Sequence, residues 1–471
     1  MYQNPENLRF GGGADGSMLH PAVMVWMVIT IILLFTLPRQ KMIVPFLLIV
    51  VLSPFGQQLH VGVHLFVGRI LIVFAWIRIV MIKAGSSNTE IVSGGFNGID
   101  KLFVWWAILR AIATCLTFLE MGAIINQVAF LWDTLGGYFL FRFLVRDKED
   151  IVRVMKTFAV IVAILSVTMI NEQLTAKNAF GYIGGRLEPF LRDGKIRAQG
   201  PFTGPIPAGT FGATLLCLFI WLWTSGRSFM FGFIGVIGST VMMFTSQSST
   251  PLMAFPAGIL GISFWPFRQY MRPIRWAFSM TLLILHMVMK APVWMLINHI
   301  DMVGGNSSYH RAMLIDGFVT HFTEWWLIGV ASTASWGWDM WDQANQFVAE
   351  GETGGLATVT CFIMMISRCF GRIGIARRLS HGRKQQWSLW LIGAGLFSQV
   401  VSFFGISFSD QSIFGWYGLL AIIIVATAPM PAAKAGQDNV TTNRVASSPV
   451  EHSPSDELVW KTPNLDIWTG A

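Results

Sequence analysis

Charge is scarce in this chain. Asp, Glu, Lys and Arg make up 12% of its 471 residues, about half the share of a soluble domain. Hydrophobic residues reach 54% and mean hydropathy is +0.57. A soluble enzyme is excluded and a polytopic membrane protein is indicated. Cysteine is scarce too. Cys115, Cys217, Cys361 and Cys369 fall in apolar runs without metal-ligand spacing, so they read as small core residues rather than a disulfide frame or a zinc site. The N-terminal MYQNPENLRFGGGADGSM lacks the basic start and small-residue cleavage site of a signal peptide, and insertion is expected to rely on the first helix. Metalloprotease, nucleophile-elbow, P-loop and dinucleotide fingerprints are absent from any fitting context. The chemistry is therefore expected to use side chains, with no cofactor and no metal. No internal repeat is found.

What the chain does have is long apolar runs. A spanning helix needs about 20 mostly apolar residues, and candidates occur at 19–37, 42–57, 63–82, 102–119, 122–141, 151–170, 206–223, 229–245, 251–265, 276–297, 353–370, 386–404 and 411–428. The second and ninth are short, which gives twelve or thirteen spans. Backbone groups cannot go unpaired in lipid, so the fold class is an all-α polytopic bundle over 1–429. Residues 430–471 are polar and aperiodic and are expected to form a disordered cytoplasmic tail.

The net charge of +8 comes from basic tracts between spans: PRQK, RFLVRDKEDIVR, FRQYMRPIR and RIGIARRLSHGRK. With thirteen spans all four share one side, assigned to the cytoplasm by the positive-inside rule. Nucleic acid is not expected as a partner. The loops 171–205 and 298–352 then share the opposite side. Arg186, Arg192, Lys195 and Arg197 violate the charge bias there, which calls for a reason other than topology.

Within the spans, Arg110 and Asp133 lie at equal depth on either side of a turn near Met121, and an ion pair between them is predicted. Arg69 and Lys290 sit near outer span ends. Snorkelling explains both, and a phosphate contact is the alternative. In the first loop, Arg197 precedes Gly200, Gly204 and Gly209 at a helix start, where backbone N–H groups and a guanidinium fork suit a phosphate. The second loop holds Arg311, and five tryptophans that fit either an interfacial belt or sugar stacking. His310, His321, Glu324, Asp339, Asp342 and Glu350 are its candidate general bases.

These segments resemble the bacterial O-antigen ligase and O-antigen polymerase superfamily. The likeness rests on PFLLIVVLSPFGQQL with GRILIVFAWIR, RAQGPFTGPIPAG, TSQSST, YHRAMLIDGF and NQFVAEGETGGL. Arg197 and Gly200 match the family's Arg-x-x-Gly before a Pro-containing helix start, and Arg311 its loop arginine. Asn345, Glu350, Gly354 and Gly355 match the last motif, but Ala344 replaces the histidine that precedes the asparagine in the ligases, which leans toward a polymerase. The resemblance implies a GT-C-type bundle with two functional periplasmic loops in the bacterial inner membrane. It also implies an undecaprenyl-diphosphate-linked glycan donor, a glycan acceptor, and polysaccharide assembly and export proteins as partners. The expected roles are Arg197 and Arg311 on the diphosphate and His321, His310 or Glu324 on the acceptor hydroxyl. Arg186, Arg69, Lys290, Asn345 and Glu350 would bind substrate. The competing class is a transporter or flippase of lipid-linked glycan.

Overall fold

In a computed structural model the described residues are 17–428, without 62, 86–91, 93, 300–306, 339, 341–343 and 409. The tail and the extreme N-terminus of the sequence analysis lie outside them, and the chain divides after Ala428. Helices dominate. The first pass is α1 (Pro21–Thr36), followed by α2 (Arg39–Leu52), α3 (Val67–Ala84) and α4 (Gly98–Phe118). The fifth pass is composite: α5 (Met121–Leu131), a π turn at Trp132–Gly136 and α6 (Gly137–Leu144). Then come α7 (Lys148–Thr175), α8 (Pro205–Thr224), α9 (Phe229–Thr245), α10 (Ser249–Ser263) and α11 (Met271–Val288). A long connection carries α12 (Ser307–Thr320) and α13 (Phe322–Trp325) before α14 (Gln346–Leu379), α15 (Arg383–Ser402) and α16 (Ile413–Ala426) close the chain. Each of the thirteen predicted spans coincides with helix. Among the described residues four helices, α4, α7, α8 and α14, are long and apolar enough on their own to cross a membrane. The chain is an all-α membrane protein.

Among the described residues sheet is confined to two hairpins that the sequence reading missed, β1 (Gln58–His60) with β2 (His64–Phe66), and β3 (Phe190–Arg192) with β4 (Lys195–Arg197). Strands this short carry no readable alternation, although Asp193-Gly194 is a two-residue hairpin signal.

Close packing between α8 and α9 depends on small residues, the usual device where lipid removes the hydrophobic drive. A Cβ on Gly212 would approach Met242 to 2.9 Å, and one on Gly235 would run into the Phe219 ring. Contacts sort the helix ends into two groups. At one end Phe55 N–H reaches Pro201 O at 2.9 Å, Ala198 N–H reaches Thr245 O at 3.0 Å and Gln346 N–H reaches Phe403 O at 2.8 Å. At the other, Arg39 pairs with Asp150 at 3.2 Å and Arg377 donates to Arg268 O at 2.9 Å. The second end carries the basic tracts. There Asp100, wholly buried, accepts from Arg142 Nε at 2.9 Å and from Tyr138 Oη at 2.5 Å.

Two passes depart from regularity. In α14, Gly355 has φ 68° and ψ −171°, which breaks the helix just inside the span predicted to start at 353. Backbone from the preceding loop fills the break: Val330 N–H donates to Glu352 O and Leu356 N–H to Trp326 O, both at 2.8 Å. Helix α14 also begins at Gln346, before its apolar run, because Asn345 Oδ1 caps it by accepting from Phe347 and Val348 N–H. The other exception is α11, in which no residue is buried. It meets little beyond the connection that follows it, where Val293 N–H donates to His286 Nδ1 at 3.3 Å.

Candidate functional site

The site is assembled at the end opposite the basic tracts. Asp193 and Gly194 both take positive φ (51° and 71°), the requirement of a type I′ turn, and so direct β4 back toward the bundle. A clasp follows. Glu172, buried near the end of α7, accepts from Gln199 N–H and Gly200 N–H at 3.0–3.2 Å, while Asn178 Nδ2 donates to Gly200 O at 2.7 Å. Gly200 sits at φ 58°, where a Cβ is disfavoured. Held this way, Arg197 donates from Nη2 to Ser248 Oγ at 2.6 Å. Its Nε is buried without a hydrogen-bond partner, and among the described residues it forms no ion pair. Burial, helped by nearby Arg192, lowers its pKa, but a guanidinium starts high enough to remain charged.

Arg311 approaches the same place from α12. It is 3% exposed and donates to Ser249 Oγ at 2.8 Å and Thr250 Oγ1 at 2.9 Å. Thr250 Oγ1 in turn donates to Gly405 O at 2.8 Å. The two arginines, far apart in sequence, thus meet on three consecutive hydroxyl residues. Those residues are the N-cap and first turn of α10, and Ser248 makes no side-chain cap bond there. The neighbouring α8 starts at Pro205 behind Gly204, also without a side-chain cap. Arg186 stacks on Phe190 at 4.1 Å, and that ring lies 4.0 Å from where a Gly204 Cβ would be. A helix N-terminus carries about half a positive charge and unpaired N–H groups. Guanidinium groups placed there add positive charge to positive charge. Such a place suits an anion rich in oxygen.

The remaining predicted residues scatter. His310 is half-buried next to Arg311, projecting about 100° away around the helix. His321 lies about 15 Å further along than Arg311 by helical rise. Its Nδ1 is 3.0 Å from Gly317 O, its ring stacks on Trp336, and Glu324 accepts from Trp336 Nε1 at 2.9 Å. The two therefore gather around a tryptophan rather than around the arginines. Trp325 and Trp336 are buried against Phe318, forming a small core inside the loop. Asn345 is spent on capping. Glu350 is fully buried, accepts from Trp106 Nε1 at 2.7 Å and Gln346 Nε2 at 2.6 Å, and lies 3.8 Å from Arg110. Lys290 is exposed beyond the end of α11. Asp339 and Asp342 lie outside the described residues.

One ion pair differs from its prediction. Asp133 binds Arg69, at 2.6 Å from Nη2 and 3.0 Å from Nε, rather than Arg110. The π turn adds a residue to its turn of helix, which carries Asp133 toward α3 and leaves Arg110 to face α14. Arg69 is thereby occupied instead of snorkelling.

Sequence reasoning missed Ser248, Ser249 and Thr250 as the meeting point, and Glu172 and Asp410 as clamps. Asp410 accepts from Thr203 N–H at 3.2 Å and Thr203 Oγ1 at 3.0 Å, which ties the last interhelical loop to the turn before α8. Burial raises its pKa, against the opposing pull of the bonds from Ser412 and Thr203. A lone carboxylate between two apolar runs was the available signal for Asp410. Among the described residues no three metal-ligating side chains gather. Searches of family models, curated proteins and solved structures gave no match to this chain.

Proposed function

We propose that this chain is a glycosyltransferase of the bacterial inner membrane, acting at the periplasmic face on a glycan carried by a polyprenyl diphosphate such as undecaprenyl diphosphate. It would join that glycan to an acceptor glycan, as an O-antigen polymerase or ligase does. The observation that carries the reading is the meeting of Arg197 and Arg311 at the uncapped start of α10. Departure of a glycosyl group leaves negative charge on the diphosphate, and preorganised positive charge lowers the barrier to that departure. The diphosphate is already a good leaving group, so positioning supplies much of the rest. Arg197, whose Nε has no partner among the described residues, would touch the phosphate oxygens. Arg311 would act from below through the helix start. A GT-C-type bundle with two periplasmic loops is part of this proposal.

Arg197→Ala and Arg311→Ala should each abolish glycan extension at unchanged protein level, measured with lipid-linked glycan and purified protein in detergent. Wild-type chain lengths in both variants would overturn the assignment. The broken helix at Gly355 favours a second reading, a transporter, because discontinuous helices recur in such proteins. The same assay separates the two, since extension in detergent requires no transport.

A further inference from the structure

Away from the arginine pair the bundle holds a hollow of about 370 Å³, within the roughly 300–1,000 Å³ typical of small-molecule sites. It is bounded by α3, α4, the fifth pass, the loop after α2 and the segment leading into α16. Its polarity is unusual for the interior of a membrane bundle. Arg69, Arg110, Asp133 and Asp410 all line it. The side chains of Arg69, Arg110 and Asp133 are 16%, 22% and 38% exposed, so they face open space rather than being sealed in protein. Intramembrane ionisable groups are costly and usually functional.

Both arginines of this hollow already face a carboxylate. Arg69 is paired with Asp133 through three contacts of 2.6–3.1 Å, and Arg110 stands against Glu350 at 3.8 Å. The neighbouring site differs, since Arg197 forms no ion pair among the described residues. A cavity with fixed donors and acceptors but little net charge does not suit a phosphate. It does suit an uncharged group with many hydroxyls, each able to donate and accept. Asn126 adds an amide to the wall, and Phe66 and Phe130 add flat rings against which guanidinium groups already lie, at 5.6 and 4.7 Å. The local backbone is shaped to keep this arrangement. The π turn presents Asp133 to the hollow, and Gly136 lets α3 approach so closely that a Cβ there would meet Ile72 at 2.8 Å.

The hollow also communicates with the arginine site. Asp410 lines it and, through Thr203, holds the residue before the Gly204 N-cap of α8. We infer that the Arg69–Asp133 cavity is a saccharide subsite, which holds a neutral hexopyranose unit next to the anion-binding start of α8 and α10. This deepens the transferase reading and rests on it for its biological meaning. The sugar comes either from the acceptor's end or from the donor's first residue, and the two share this chemistry.

The test uses the full chain in detergent, with two probes followed separately. Saturation-transfer NMR with a panel of glucose, galactose, mannose, rhamnose and N-acetylglucosamine reads the cavity, and thermal stabilisation by inorganic pyrophosphate reads the arginine site. At least one sugar should show transfer that falls by about tenfold or more in Asn126→Phe, which fills the hollow and leaves both ion pairs in place. That transfer should survive in Arg197→Ala and in excess pyrophosphate. Asp133→Asn gives a second reading, since the unbalanced Arg69 should weaken sugar binding and admit pyrophosphate. Competition by lipid-free oligosaccharide released from the cells' own polymer assigns the subsite to the acceptor, and competition by the lipid-linked glycan alone assigns it to the donor. Silence from every sugar, or transfer that persists in Asn126→Phe, overturns the proposal. Absence of any pyrophosphate effect, with sugar binding intact, would instead count against the transferase reading.

Discussion

Single side chains define the candidate site because each sits where bulk water does not correct an error. Arg197 is placed by a backbone clasp, with Nη2 spent on Ser248 and Nε buried without a partner among the described residues. Arg197→Lys keeps the charge but loses the fork. We expect glycan extension to fall by about tenfold or more, since bidentate charge-assisted bonds are among the stronger ones; rates from quantified product ladders check this. Asp410 gives a pH prediction. Its folded pKa is raised by burial, so the folded state holds the proton more firmly than the unfolded chain. Its contribution favours folding below the usual carboxylate range and is lost as pH rises through the raised value. The stability of wild type relative to Asp410→Asn should therefore decline from acid to neutral pH, as read by melting temperatures of both proteins in detergent. A constant difference would rule this out.

At the scale of elements, Gly355 is the most constrained point. Its φ of 68° with ψ of −171° belongs to a region that is nearly glycine-only, and a Cβ there would meet Leu327 O at 2.6 Å. Gly355→Ala should cost about 1–3 kcal/mol and release residues 326–330, seen as a lower melting temperature and faster proteolytic cleavage in that stretch. The helices themselves were legible from the sequence because hydropathy over about 20 residues is a strong signal. What hydropathy cannot register is a helix that starts before its apolar run, so α14 began earlier than predicted, on the Asn345 cap. Nor does it register the rotation produced by one extra residue, so Asp133 was assigned to Arg110 when the π turn delivers it to Arg69. Sidedness placed Arg197 and Arg311 at the same end. Their shared partners were not legible, since Ser248, Ser249 and Thr250 become a meeting point only once α10 stands between two loops. His321 and Glu324 were chosen as titratable residues in the right loop, and their attachment to Trp336 depends on tertiary packing that spacing does not reveal.

For the molecule as a whole, the buried ion pair and the candidate site lie at opposite ends. The buried Asp100–Arg142 pair ties α4 to the fifth pass at the basic end. Removing one member leaves the other charge uncompensated, and Arg142→Ala should destabilise the fold by about 3–5 kcal/mol, measured as loss of folded protein on heating in detergent. Orientation can be checked directly. On a background without native cysteines, Asp193→Cys should react with a membrane-impermeant maleimide in intact spheroplasts and His381→Cys only after lysis. The reverse pattern would place the arginine site in the cytoplasm. The isolation of α11 bears on the same question of orientation. A helix that buries no side chain contributes no shape to its neighbours, and in the proposed thirteen-span topology it returns the chain to the face where α12 must arrive. Its identity should then be interchangeable with that of any apolar helix of equal length, whereas deleting it outright would strand Arg311 across the bilayer from Arg197.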